Sequence, residues 1–418
     1  MGANKKVVVT GMGAITPIGN TVAEYSAALK AGKSGVGLIT QFDTSNFNVK
    51  IAAEVKDFEP GTWVDKKLAR KMARFTQFAV CAAAQALEQA ALLNETRKIS
   101  CDAARVGIVL GNGIGGFEVV SEGFRKLLGD GPDRMPPLTV PMMIANEAAG
   151  NVAITFGLHG PAYTQVTACA SGSDALGQAL DMVRSGRCDV VVTGGTEACI
   201  TPFAVGGFAM LKTLSVKRSG EPEKASRPFD ADRDGFILGE GAGVLVIESE
   251  EHAKARKAEI LAEFAGYGGT CDAYHVTSPN PSGEGGAEAI KAALSDANMK
   301  PEEIQYYNAH GTSTHINDAV ETTMIKIAFG DHAKKMKVSS TKSMTGHCVA
   351  GAGGIEAIAS ILAIREGFFP PTINYENPDP ECDLDYVPNK MQAGTINAAA
   401  SGNLGFGGHN GVVIFKKY

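Results

Sequence analysis

The chain has 418 residues, 44% of them hydrophobic and 20% charged, the balance of a globular protein large enough for two ordinary domains or one large layered unit. Its formal net charge of -6 argues against nucleic acid as the main partner, because neutralising phosphate needs a concentrated positive face. Eight cysteines scattered without a C-x-x-C pair predict a reducing compartment rather than a disulfide scaffold, and no stretch reaches the ~18 apolar residues of a membrane helix.

The opening MGANKKVVVTGMG passes from two lysines into a strand-like run without a signal-peptide core, which predicts a cytosolic protein, a pattern that a processed organellar form would share. Short apolar runs ending in small residues predict strands at 6–11, 105–111, 189–195 and 243–248. The stretches 76–93 and 174–186 predict helices between them, the alternation of an α/β layered fold. Lys66, Lys67, Arg70, Lys71 and Arg74 fall within nine residues at helix-like spacing and form a basic face. Gly111, Gly113 and Gly116 spell G-x-G-x-x-G after a strand, but no second β-run follows to carry a ribose-binding acid. A tightly packed turn is therefore the better reading there.

Cys169 follows an apolar run and precedes ASGSDAL, a sequence suited to starting a helix, where dipole and free N–H groups would favour a thiolate. The segment DADRDGFILGE at 230–240 has a calcium-loop beginning, but Glu240 falls one position early and Arg227-Pro228 stands where a helix should enter, so it reads as a structural turn. The charged run 250–259 reads as a helix leading into the second half of the chain. There, His310 in NAHGTST, and Lys342 and His347 in STKSMTGH, lie in polar turns. His310, His315 and Asp318 lack the helical spacing of a zinc site, and no metal is expected.

The second half replays the first. Residues 163–186 find a counterpart in 337–367, 105–116 in 304–314, and 243–248 in the closing NGVVIFKKY. Two similar α/β halves follow, 1–255 carrying Cys169 and 256–418 carrying His310, Lys342 and His347, with their reactive turns meeting at one edge. A cysteine, two histidines and a lysine in glycine-rich turns define a nucleophilic site.

VVVTGMGAITPIGN, TACASG, RPFDADRDGFILGEGAG, NAHGTST, STKSMTGH and LGFGGHN together resemble, almost end to end, the elongating Cys-His-His class of β-ketoacyl-acyl-carrier-protein synthases, most closely those of type II. The resemblance implies the thiolase fold, a duplicated five-layer α/β/α/β/α sandwich, in a homodimer. It implies an acyltransferase of fatty acid elongation that joins an acyl thioester to malonyl-acyl-carrier protein with loss of carbon dioxide. Substrates ride on the carrier's phosphopantetheine, and the enzyme needs no cofactor of its own.

By matching motif, Cys169 would be the nucleophile, His310 and His347 the donors to the malonyl thioester oxygen, and Lys342 an indirect organiser of the site's charge. Phe406 would serve as a gate, its N–H and that of Cys169 forming the oxyanion hole. Thr277, Thr312 and Thr314 would hold pantetheine, and Ile114 and Phe208 would line the acyl pocket. Lys66, Lys67, Arg70, Lys71 and Arg74 would dock the acidic acyl carrier protein. Two departures from the family pattern stand out: Leu404 replaces a phenylalanine, and His315 stands where proline is common. A polyketide or aryl-polyene ketosynthase would run the same chemistry. A thiolase would need a second cysteine near the C-terminus, and a non-catalytic chain-length-factor subunit would lack Cys169.

Overall fold

The computed structural model describes residues 5–418; the first four residues of the expected N-terminal half lie outside the described residues. Ten strands build the main sheet: β1 (Val7–Ile15), β2 (Val106–Gly111), β3 (Ala162–Gln165), β4 (Val190–Glu197), β5 (Gly241–Ser249), β6 (Ala262–Cys271), β7 (Tyr306–Asn308), β8 (Lys337–Ser339), β9 (Ala398–Gly405) and β10 (His409–Lys416). Their hydrogen-bonded order is β8-β7-β9-β10-β6-β1-β5-β4-β2-β3. Taken as two sets of five, each runs third, second, fourth, fifth, first from its outer edge. In each set the second strand is parallel to the third and fourth, and the remaining pairs are antiparallel. The sets join where Val8 and Val9 of β1 pair with Glu263 and Ala262 of β6.

Six helices matter for the layers: α1 (Arg74–Gln89), α2 (Glu147–Phe156), α3 (Ser171–Arg184), α4 (Glu284–Asp296), α5 (His315–Phe329) and α6 (Ala352–Glu366). The first set carries α1, backed by α2, on its outer face, and the second carries α4, backed by α5. Between the sets lie α3, packed on β2, β4, β6 and β10, and α6, packed on β4, β5, β9 and β10. The result is a five-layer α/β/α/β/α sandwich. Strands covered on both faces need apolar residues throughout, which is why β1, β4 and β5 are buried along their whole length rather than alternating. Helix α6 is buried all round for the same reason, every residue from Ala352 to Ile364, with Glu356 the one charge among them. Close crossing of the central helices requires Gly353, where a Cβ would lie 2.4 Å from the Ser173 N.

The echoing stretches of sequence fall on equivalent elements, 105–116 and 304–314 on second strands and 163–186 and 337–367 on third strands with the central helices. Both central helices are entered through a 3-10 turn, Ala168–Ala170 and Val349–Gly351. Each turn holds a non-glycine residue at positive φ, 51° at Ala168 and 46° at Val349. Such backbone costs ~1–3 kcal/mol and persists only where its surroundings hold it.

Two expected helices end early. The one predicted to 93 stops at Gln89 because Ala91 takes a φ of 52°, which lets Leu93 bridge to Ile99. The charged run at 250–259 is helical only over Glu250–Ala255 before Lys257 turns with a φ of 57°. The G-x-G-x-x-G segment is a packed turn, where a Cβ on Gly111 would lie 2.4 Å from Ser171 and one on Gly113 2.7 Å from Glu197. The Asp-rich segment is likewise structural. Asp230 accepts hydrogen bonds from Arg227 and from the N–H groups of Asp232, Glu376 and Asn377, and Asp234 accepts from Ser215, Val216 and Lys217.

Candidate active site

The strained turn at Ala168 presents Cys169 just ahead of α3, and the turn after β8 presents His347 just ahead of α6. His310 follows β7, and Phe406 sits between β9 and β10. The duplicated topology brings these four to one cavity of about 550 Å³. His347 Nε2 lies 3.0 Å from Cys169 Sγ, and the rings of His310 and His347 stand perpendicular with centroids 5.1 Å apart. Phe236 packs edge-on against His347 at 5.4 Å. Backbone N–H groups of Phe406 and of Cys169 itself face the sulfur. Gly405 permits that approach, since a Cβ there would lie 2.6 Å from the Thr167 O. Positive φ at Gly407 and Gly408, 89° and 79°, shapes the rest of the Phe406 loop.

Burial decides the charge state of the site. It pushes the Cys169 thiol up to about 12, against the pull of Lys342 and the two N–H groups, so the expected thiolate preference of a helix N-terminus is outweighed. Burial, reinforced by Lys342, holds His310 and His347 well below the usual imidazole value, which keeps both rings neutral. Lys342 does not line the cavity. It is buried, its ammonium bonded to Glu356, with each side chain only 1% exposed. Glu356 also accepts from Asn403 Nδ2 at 2.7 Å, and the Asn403 amide reaches His310 Nδ1 at 3.4 Å. Glu321 accepts from the N–H groups of His310 and Gly311, both at 2.6 Å, fixing the His310 turn. Burial pushes the Glu321 carboxyl up to about 8 even so.

Thr277, Thr312, Thr314, Ile114 and Phe208 all line the same cavity. The Thr312 and Thr314 hydroxyls are 2.9 Å apart, and Phe208 stands 6.5 Å from Phe406 and 5.6 Å from Phe236, ring to ring. His315 and Leu404, the two departures from the family pattern, line it as well. Sequence reasoning missed Lys212, the cationic side chain on this lining, along with the buried Glu321, Glu356 and Asn403. A charged residue inside the apolar run GGIEAIAS was the signal for Glu356; for Asn403 there was none.

Among the basic residues 66–74, Lys66, Lys67, Arg70 and Lys71 are exposed. Arg74 is not part of that face. Its guanidinium turns inward onto Glu240 through Nε at 2.8 Å and Nη2 at 2.6 Å and stacks over Phe78 at 4.7 Å, because Glu240 is fully buried and needs a cation. Among the described residues the group whose ligand-type atoms converge as a metal site would is Cys169, His310 and His347, within 4.8 Å of one another. Cys169 and His347 are joined there directly, sulfur to Nε2. No helix among the described residues is long and apolar enough to cross a membrane.

A duplicated five-layer sandwich with a half-buried cysteine and two buried, neutral histidines around one cavity defines a thiolase-fold acyltransferase of the condensing type. The Beta-ketoacyl synthase N-terminal domain matches residues 4–253 and the C-terminal domain of the same family matches 261–376. The chain is 52% identical to a 3-oxoacyl-[acyl-carrier-protein] synthase 2 of Synechocystis sp., covering 99% of this chain and 98% of that one. It is 50% identical to the enzyme of the same description from Staphylococcus aureus, over 100% of both chains. A solved type II polyketide ketosynthase, in complex with its acyl-carrier protein, is 34% identical with a TM-score of 0.91, over 99% of this chain and 100% of that one. The chain belongs to the beta-ketoacyl synthase family.

Proposed function

We propose that this enzyme lengthens acyl chains for fatty acid synthesis through Cys169, with an acyl carrier protein as the bearer of both substrates. The observation that carries the reading is the convergence of Cys169, His310 and His347 on one cavity. Cys169 Sγ attacks the carbonyl of an acyl thioester, the developing oxyanion is met by the Cys169 and Phe406 N–H groups, and the carrier thiol leaves with the proton. Malonyl thioester then takes the carrier's place and loses carbon dioxide. His310 and His347 donate to its thioester oxygen as enolate charge grows, each aligned donor contributing ~3 kcal/mol in the transition state. The enolate carbon attacks the acyl-enzyme, the Cys169 sulfur leaves as a thiolate that takes up a proton from solvent to restore the thiol, and a 3-oxoacyl thioester two carbons longer departs. Thr277, Thr312 and Thr314 hold the pantetheine arm, Ile114 and Phe208 bound the acyl end, and Phe406 separates the two sides. On this reading residues 1–255 supply the nucleophile and 256–418 the histidines and the lysine that orders them.

Identity of 50–52% to 3-oxoacyl-[acyl-carrier-protein] synthases 2, against 39% to the solved ishigamide ketosynthase/chain length factor and 34% to the type II polyketide ketosynthase, favours the fatty acid pathway over the polyketide one. Intact-mass measurement after mixing with acyl carrier proteins of graded chain length should show acylation at Cys169, and added malonyl carrier should clear it with release of a 3-oxoacyl product. Absence of a malonyl-dependent product would refute the condensing role. In the same assay, reversing Lys66, Lys67, Arg70 and Lys71 to glutamate should raise KM for the carrier about tenfold at low salt with kcat retained, as rim charges act mainly on encounter. An unchanged KM would remove the docking face.

The eight free cysteines fit a reducing compartment, and we place the enzyme in the cytosol. We also propose a homodimer, supported by β3, an unpaired edge strand at the end of the sheet with Tyr163 and nearby Val166 exposed. Sedimentation at micromolar concentration should give about twice the 43.5 kDa chain mass, and a monomer would overturn this.

A further inference from the structure

We propose that Asn403 is a positioning residue that sets which nitrogen of His310 carries the proton, a role that rests on reading His310 as a donor to the malonyl thioester. Asn403 lies on β9, fully buried, where α3, α6 and the loop after β7 converge. Its three polar contacts come from those three elements: Ser173 on α3 donates its hydroxyl to Oδ1 at 2.6 Å, Nδ2 donates to Glu356 Oε2 on α6 at 2.7 Å, and Nδ2 also reaches His310 Nδ1 at 3.4 Å.

This arrangement admits one orientation of the amide. Glu356 is ion-paired with Lys342 and offers only acceptors, so the amide must present its nitrogen there. The carbonyl end then faces the Ser173 hydroxyl, which can donate. With the amide so fixed, Nδ2 lies 2.7 Å from Glu356 Oε2 and 3.4 Å from His310 Nδ1, and its two N–H groups can serve both acceptors. A ring nitrogen that faces a donor has to be unprotonated, so a neutral His310 carries its proton on Nε2, the nitrogen left for the cavity. The partner ring has no such clamp, because His347 Nδ1 is buried and meets no hydrogen-bond partner among the described residues. Lys342 thus acts on His310 through a chain of contacts, ammonium to Glu356 to Asn403 to imidazole.

The test separates the two half-reactions and reads the tautomer directly. In the wild-type protein, ¹⁵N NMR of labelled histidine, with His310 assigned by its loss in His310→Ala, should show Nδ1 unprotonated and Nε2 protonated. Asn403→Leu, which keeps the shape and removes the donor, should slow malonyl decarboxylation by about tenfold or more while Cys169 acylation changes by less than about twofold, because a wrong tautomer impairs only the step that needs the donor. The acylation arm also reports whether the variant is folded. A proton on Nδ1 in the wild type, unchanged decarboxylation in Asn403→Leu, or an equal loss in both half-reactions would overturn the role of Asn403. Unimpaired decarboxylation in His310→Ala would instead sink the donor reading of His310 itself.

Discussion

Cys169→Ser should abolish detectable acyl-enzyme and lower condensation by about a thousandfold or more, since a serine hydroxyl is a far weaker nucleophile unless a strong base activates it. The site offers no such base. His310 and His347 are held neutral by burial and by Lys342, an arrangement that suits hydrogen-bond donation better than proton abstraction. Burial pushes even the thiol up to about 12, so on the proposed mechanism turnover relies on sulfur's intrinsic reactivity and on the N–H groups of Cys169 and Phe406. Oxygen differs from sulfur by a small change in volume, and the Ala168–Ala170 turn should be kept. Intact-mass analysis with acyl carrier protein is the direct measurement; an acylated serine variant condensing at the wild-type rate would remove Cys169 from the mechanism.

Replacing Lys342 with methionine should be the most damaging change to stability in the site. It leaves Glu356 buried with no cation, and breaking a buried pair from one side costs ~3–5 kcal/mol. The loss has a pH signature. Burial alone raises the Glu356 carboxyl, and Lys342 is the main group holding it down, so in Lys342→Met the folded protein should bind a proton that the unfolded chain has already released. Its stability deficit should therefore be small near pH 5 and grow as the pH rises toward 8. Denaturant unfolding at the two pH values measures it. A deficit that is equal at both, or larger at pH 5, would show that Glu356 is not left as the uncompensated charge. Lys342→Met and Glu356→Gln together should recover part of the loss, since the double variant leaves no charge unpaired.

How much of this was legible beforehand depends on the range of the contacts involved. Cys169, His310, Lys342 and His347 were marked by turn chemistry and by the internal repeat, both local signals, and they do meet at one cavity or directly behind it. The two-fold repetition of strand order was legible for the same reason. Asn403, Glu321 and Ser173 were not, because their roles come from partners brought close only by the stacking of the five layers; Ser173 and Asn403 are 230 positions apart. Arg74 was misplaced on the docking face because helix-like spacing gives a side chain's direction around the axis, and nothing in the local sequence announced Glu240 beneath it. The thiolate expected at Cys169 failed on a comparable point. A helix N-terminus is readable from residues 169–176, whereas the desolvation that outweighs it is a property of the closed cavity.

The central helices have a consequence for how the molecule holds together. Because α3 and α6 each pack on strands of both five-stranded sets, neither set has a complete interior without the helix contributed by the other. A severed half would leave one side of its sheet and a buried helix such as Ala352–Glu366 facing water, so neither half is expected to fold without the other despite the duplicated plan. The site shares that interdependence: Cys169 on one copy meets His310 and His347 on the other only while the seam between the copies is closed.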